Sequence, residues 1–206
     1  MFASRSQRVV QSQGPSVPVS AGFEKLEGRT LFAAMFVDAN GGLNLVNDLT
    51  NDNTTAIYDT AGTPATADDR VHVRMFSGGL WHTGTFMGVN HIIFRGLNGD
   101  DTCRNDTPLR SFQYGGKGND TLIGGSSADY LYGESENDKL YGRDGNDRLD
   151  GGIGVDQLRG GFGNDYLDTG ADADVGEIAF GEGNADTFKN RPGDVRDWVF
   201  GETIIP

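Results

Sequence analysis

Between Gly115 and Asp168 the chain reads, without a gap, GGKGNDTLI, GGSSADYLY, GESENDKLY, GRDGNDRLD, GGIGVDQLR and GGFGNDYLD. These are six copies of one nine-residue unit. Gly holds the first position, Asp the sixth (Asp120, Asp129, Asp138, Asp147, Asp156, Asp165) and Leu the eighth (Leu122, Leu131, Leu140, Leu149, Leu158, Leu167). So short a period constrains a chain severely, because every unit must adopt one local structure and bury one face against its neighbours. The first six residues are rich in Gly and carry Asn119, Asn137, Asn146 and Asn164, which suits a tight turn with positive φ. The last three, with one central apolar side chain, suit a very short strand. A single inward Leu cannot make a core alone, so the units must coil and stack. Two units then form one turn of a flattened parallel solenoid, with columns of Leu inside.

At a strand spacing of about 4.8 Å, the Asp of one repeat approaches the Asp two repeats on. Asp120, Asp138 and Asp156 line one edge of the expected solenoid, and Asp129, Asp147 and Asp165 the other. Two carboxylates about 4 Å apart repel by roughly 4 kcal/mol at an effective dielectric near 20, which a marginally stable fold does not tolerate uncompensated. Carboxylates and turn carbonyls are hard oxygen donors, and the array contains no His or Cys, so the expected partner is calcium, several ions of it, in preference to zinc or copper. Pairing each turn with the next on its edge counts about four interturn sites, 115–133, 133–151, 124–142 and 142–160. The expected metal residues are the six Asp with Gly116, Gly118, Gly145, Gly152, Gly154, Gly161 and Gly163 of the turns, extended by Asp101, Asp174 and Asp186 in less regular flanking units. Glu134 and Arg143 replace the second Gly, and Ser127 and Glu136 the one at position four, so sites in the second and third repeats are expected to be weaker or distorted.

The unit resembles the calcium-binding nonapeptide of the RTX, or haemolysin-type, repeat, written Gly-Gly-x-Gly-x-Asp-x-apolar-x. That resemblance implies an all-β, right-handed parallel β-roll with calcium held between successive turns on each edge. It also implies a chain that folds on meeting calcium, secreted from a bacterial cell or displayed on its surface.

The formal net charge of −13 is concentrated: residues 96–188 carry −12, residues 34–95 carry −3, residues 1–33 carry +2, and residues 189–206 sum to zero. Such a surface repels nucleic acid and attracts cations, so no nucleic-acid partner is expected. No run of eighteen apolar residues exists, and no transmembrane helix is expected. The one cysteine, Cys103, excludes an internal disulfide. It takes position eight of an early unit, GLNGDDTCR (Gly96 to Arg104), which makes it a buried structural thiol.

Four segments follow. Residues 1–33 read as a leader or targeting segment, disordered or short-helical; FEKLEGRTL within it resembles a segment near the N-terminus of some exported bacterial surface proteins. Residues 34–95 read as an N-terminal β cap, with strands at Ala34–Val37, Leu43–Val46, Val71–Phe76, Trp81–Phe86 and His91–Phe94. Residues 96–188 form the roll, with Phe112 near an inward position, and residues 189–206 a C-terminal cap or tail, closed by Val195, Trp198, Val199 and Phe200. The chain holds no His-Glu-x-x-His and no Gly-x-Ser-x-Gly, and His72, His82 and His91 fit no common zinc spacing, so no catalytic activity is expected. An alternative use of the roll is binding cell-surface glycan or matrix, through outward Tyr130, Tyr132, Tyr141 and Tyr166.

Overall fold

The computed structural model describes residues 34–47, 52–59, 70–77, 79–170, 177–189, 195–196 and 203–205. The expected leader (1–33), Asp174, and the closure residues Trp198, Val199 and Phe200 lie outside them. All regular structure among the described residues is strand. In chain order the strands are β1 (Ala34–Val37), β2 (Gly42–Val46), β3 (Asn53–Asp59), β4 (Arg70–Ser77), β5 (Leu80–Met87) and β6 (His91–Asn98). There follow β7 (Thr102–Asp106), β8 (Ser111–Lys117), β9 (Thr121–Ile123), β10 (Tyr130–Ser135), β11 (Lys139–Asp144) and β12 (Arg148–Ile153). The last are β13 (Gln157–Phe162), β14 (Tyr166–Asp168), β15 (Ile178–Glu182), β16 (Thr187–Lys189), β17 (Val195–Arg196) and β18 (Thr203–Ile205).

The chain alternates between two sheets from β6 onward. One runs β1-β2-β6-β8-β10-β12-β14-β16-β18, the other β17-β15-β13-β11-β9-β7-β3-β4-β5. This is the parallel β-solenoid expected from the nine-residue period, with about five turns. Register is set by the repeat itself: Leu131 pairs with Leu149 and Leu149 with Leu167 in one sheet, Leu122 with Leu140 and Leu140 with Leu158 in the other. A slip of one residue would turn every Leu outward. All six are 0% exposed, and each fully buried Leu contributes roughly 1.5–3 kcal/mol.

Cys103 pairs with Leu122 and occupies the inward column fully buried, while Ala179 and Phe188 continue the two columns beyond the regular repeats. One inward position differs from expectation. Gln113, not Phe112, pairs with Leu131 and is 0% exposed. The irregular stretch before Gly115 sets the strand parity, so Ser111 and Gln113 point inward and Phe112 outward. The Gln113 Nε2 donates to Ser111 Oγ (3.0 Å) and to the Ile123 carbonyl (2.9 Å), which offsets part of the cost of burying the amide, while its Oε1 is buried without a partner.

At the N-terminal end the solenoid changes character. β1 and β2 form a hairpin across Asn40 and Gly41, whose left-handed φ of 78° the turn requires. β4 and β5 add an antiparallel hairpin to the second sheet. β3 was not foreseen: it lies parallel to β7 in the roll's register, with Thr54 beside Cys103 in the inward column. Leu43, Leu45, Val71, Val73, Met75, Ile92 and Phe94 give this end a wider apolar core, against which Met35, Val37 and Phe86 pack.

Truncating one rung of the Leu column leaves a cavity that stacked backbone cannot close. Leu149→Ala is expected to lower stability by about 2–5 kcal/mol, read from urea unfolding in saturating calcium.

Candidate metal centre

With one exception, the turns of the repeat units are built on left-handed residues at positions two and four. Gly116 and Gly118 have φ of 111° and 125°, Gly152 and Gly154 103° and 138°, Gly161 and Gly163 105° and 139°, and Gly145 126°. Where the sequence departs from Gly the backbone does not follow: Leu97, Glu134, Glu136, Arg143, Glu182 and Asn184 keep φ between 68° and 79°. A left-handed conformation costs a non-glycine residue on the order of 1–2 kcal/mol, so stacking against like turns overrides local preference. The expected distortion of the third repeat is therefore absent from its trace. The second repeat does depart, since neither Gly125 nor Ser127 is left-handed.

This conformation turns the carbonyls along the solenoid axis. A Cβ built on Gly163 would overlap the Gly145 carbonyl oxygen, and one on Gly118 that of Gly99; Gly152 faces the Glu134 carbonyl and Gly161 that of Arg143. Successive turns thus present columns of main-chain oxygen to the space between them.

The sixth-position aspartates form two ladders. On one edge the Asp101 N–H donates to Asp120 Oδ1 (2.7 Å), Asp120 to Asp138 (2.7 Å) and Asp138 to Asp156 (2.8 Å). The first rung is one the sequence did not announce: the Asp52 N–H donates to Asp101 Oδ1 (2.7 Å). On the other edge Asp129 donates to Asp147 (2.7 Å), Asp147 to Asp165 (2.8 Å) and Asp165 to Asp186 (2.8 Å). Asp101 and Asp186, from irregular units, are thus in line with the six regular ones.

The second carboxylate oxygen is the notable atom. Oδ2 of Asp101, Asp120, Asp138, Asp147 and Asp165 is buried and has no hydrogen-bond partner. In each case it lies over the first-position glycine of its own unit, where a Cβ on Gly96, Gly115, Gly133, Gly142 or Gly160 would collide with it. Glycine at position one therefore makes room for a carboxylate, whereas its φ is ordinary. Burial raises these acids, to about 8 for Asp101, Asp138 and Asp147, about 7 for Asp165 and about 6 for Asp120; the N–H from the adjacent turn opposes the shift and neighbouring carboxylates add to it.

Asp129 is different. Its Oδ1 accepts from the N–H and, at 2.9 Å, the Oγ of Ser111, and its Oδ2 accepts the Gly125 N–H (2.6 Å). Across this turn the Arg143 guanidinium reaches Asp106 (2.9 Å) and the Asn105 carbonyl (3.3 Å). Main-chain N–H groups and the Ser111 hydroxyl thus already donate to both oxygens of Asp129.

A second ladder was missed in the sequence. The Asn137 N–H donates to Asn119 Oδ1 (3.3 Å), Val155 to Asn137 (2.7 Å), Asn164 to Asn146 (2.9 Å) and Ala185 to Asn164 (3.1 Å). These bonds run opposite in chain direction to those of the aspartates. The available signal was the recurrence of Asn at position five, which also suits a turn locally and so concealed its interturn role.

Among the described residues no three His, Cys, Asp or Glu side chains converge on one point. Carboxylates alone cannot complete a site here, and main-chain carbonyls must supply the remainder. Buried acceptor oxygens without donors, beside columns of carbonyl oxygen, fit a hard divalent cation. The fold and its edges thus define a parallel β-roll with calcium-type turns. Residues 114–149 and 141–175 match the family model of the RTX calcium-binding nonapeptide repeat (4 copies), so this segment consists of RTX repeats, which indicates calcium binding. No curated protein and no solved structure matches the chain.

The raised acids dictate how the calcium-free chain responds to pH. A carboxyl whose folded pKa lies above its unfolded value of 3.8 favours the folded form when protonated, and that contribution is lost as pH rises through about 6 to 8. With chelator present, far-UV circular dichroism is expected to show more β structure at acidic pH than above 8. An opposite trend would contradict the burial of these carboxyls.

Proposed function

We propose that this chain is a calcium-folded module acting outside the cell or on its surface, without catalytic chemistry of its own. The observation that carries this reading is the row of buried, donor-less aspartate oxygens facing turn carbonyls. Charge repulsion and desolvation oppose folding of the bare chain, and a bound divalent ion removes both penalties. Each site stabilises by RT ln(1 + [L]/Kd), about 2.7 kcal/mol at a hundredfold excess over Kd. A compartment poor in free calcium would keep such a chain open, and a calcium-rich exterior would close it. This supports folding after export.

The proposed ligands are the carboxylates of Asp101, Asp120, Asp138, Asp147, Asp156, Asp165 and Asp186, with main-chain oxygens of the left-handed turns. Spaces bounded by two such turns lie at 96/115, 115/133 and 133/151 on one edge and at 142/160 and 160/181 on the other. The 124/142 space is left out, because Asp129 already has its donors and Gly125 and Ser127 lack the turn conformation. In this reading the roll begins at Asp52, and the hairpins of residues 34–95 act as its N-terminal cap.

The non-catalytic assignment rests on the lack of catalytic motifs in the sequence and on the burial of Cys103, whose thiol desolvation pushes well up. Glycan binding draws less support. Tyr130, Tyr132 and Tyr166 lie on one sheet and Tyr141 on the other. Tyr130 stacks on Phe112 (5.0 Å) and Tyr132 on Tyr114 (5.2 Å), while Arg148 covers Tyr166 (4.2 Å), so a face of each of these three rings is already engaged.

Calcium is expected to convert the chain cooperatively to a β spectrum, with magnesium ineffective at equal concentration; an unchanged spectrum across the titration would sink the proposal. By calorimetry, Asp147→Ala should lower the number of ions bound, whereas Asp129→Asn should leave it unaltered. If the second substitution removes a site and the first does not, the assignment on that edge is wrong.

A further inference from the structure

The strand that ends the second sheet, β5, pairs among the described residues with β4 alone. Its sequence, LWHTGTFM, holds no Lys, Arg, Asp, Glu or Pro. Exposed sheet edges ordinarily carry charge, proline or a bulge, because a bare edge is a template for another strand. Three of the most exposed large apolar side chains sit here: Leu80 at 55%, Trp81 at 57% and Met87 at 52%. Gly79 and Gly88, which flank the strand, border open space.

The outward face of β5 is Trp81, Thr83, Thr85 and Met87, as the contacts across to β4 show. Trp81 packs on Phe76 (5.1 Å) under the Arg74 guanidinium (4.8 Å), and Thr85 Oγ1 bonds His72 (2.9 Å). Read in either direction about Gly84, this face is a large apolar residue, two threonines and a large apolar residue. Antiparallel strands related by a two-fold axis perpendicular to the sheet place directly opposed residues on one face. An axis at Gly84 sets Thr83 against the partner's Thr85 and Trp81 against the partner's Met87. Thr–Thr and sulfur–aromatic pairs are both favourable cross-strand contacts.

Charge is compatible with the same occupant. The β4–β5 hairpin carries Arg70 and Arg74 and no acidic residue among its described positions, whereas residues 96–188 carry −12. Joining two chains edge to edge at β5 continues the sheet end to end and keeps the acidic rolls apart, whereas roll-to-roll approach brings like charges together.

We propose that β5 is a self-association edge, and that a second copy of this chain pairs with it antiparallel about Gly84. The interface is small, so association is weak and concentration-dependent. Nothing in it depends on where calcium binds.

The test is sedimentation of the full chain in saturating calcium over a dilution series. The expected result is a reversible shift from the single-chain mass to twice that mass. Thr83→Lys, which puts charge on the bare edge, should lower the association constant at least about tenfold. Its far-UV spectrum should not change. A chain that stays monomeric throughout, or a dimer indifferent to Thr83→Lys, overturns the proposal. Should that variant not fold, register decides: Thr83→Cys and Thr85→Cys proteins, oxidised as a mixture, should cross-link to each other faster than either does to itself. Cys103 is buried and common to both. Equal rates for all three pairings, or no cross-linking, would also overturn it.

Discussion

The roll is organised around a buried carboxylate divided between two tasks. One oxygen each of Asp101, Asp120, Asp138, Asp147, Asp156, Asp165 and Asp186 accepts an N–H from the neighbouring turn at 2.7–2.8 Å and so fixes the vertical register of the turns. The other is packed over a glycine with no protein donor at Asp101, Asp120, Asp138, Asp147 and Asp165. A carboxylate in that state is expensive unless a proton or a cation joins it. On the proposed function the fold is therefore conditional, because the bonds that hold successive turns in register also bury the carboxylates that must be neutralised. The Leu columns are too thin to offset this alone, with one inward apolar residue for every nine in the chain.

The two edges are not equivalent. The first runs from Asp52 through Asp101, Asp120 and Asp138 to Asp156, and its turns keep the left-handed residues even where Leu97, Glu134 and Glu136 replace glycine. The second starts at Asp129, where Ser111, Gly125 and the span of Arg143 to Asp106 replace what an ion would supply. At that end both carboxylate oxygens of Asp129 accept hydrogen bonds from the protein. The wider core at β1 to β6 stands on apolar packing. The molecule thus joins a section held by apolar packing to a section whose buried carboxylates include oxygens without protein donors.

Much of this was legible in the sequence. The period of nine, the phase of Leu and the place of Cys103 in the inward column follow from strand alternation, and β1, β2, β4, β5 and β6 follow from their alternating patterns. The alignment of Asp101 and Asp186 with the six regular aspartates also follows from counting. What escaped was whatever depends on a neighbour one turn away. Gln113 was hidden because the irregular stretch before it gives no parity. β3 was hidden because Asn47 to Thr55 shares with the repeat little more than Asn51-Asp52.

The repeat by itself determined that this chain coils, which residues face in, and that acidic turns stack, because a nine-residue period admits only one way to bury a lone Leu. Only the tertiary structure decided that first-position glycines make room for carboxylates and that position-five asparagines form a counter-running ladder. It also decided that Asp129, identical in sequence to its fellows, has its donors already. The asparagine ladder and the Ser111–Asp129 contacts join residues about eighteen positions apart, and the glycine–carboxylate contact forms only once a unit folds back on itself, so none of the three is visible in the linear pattern.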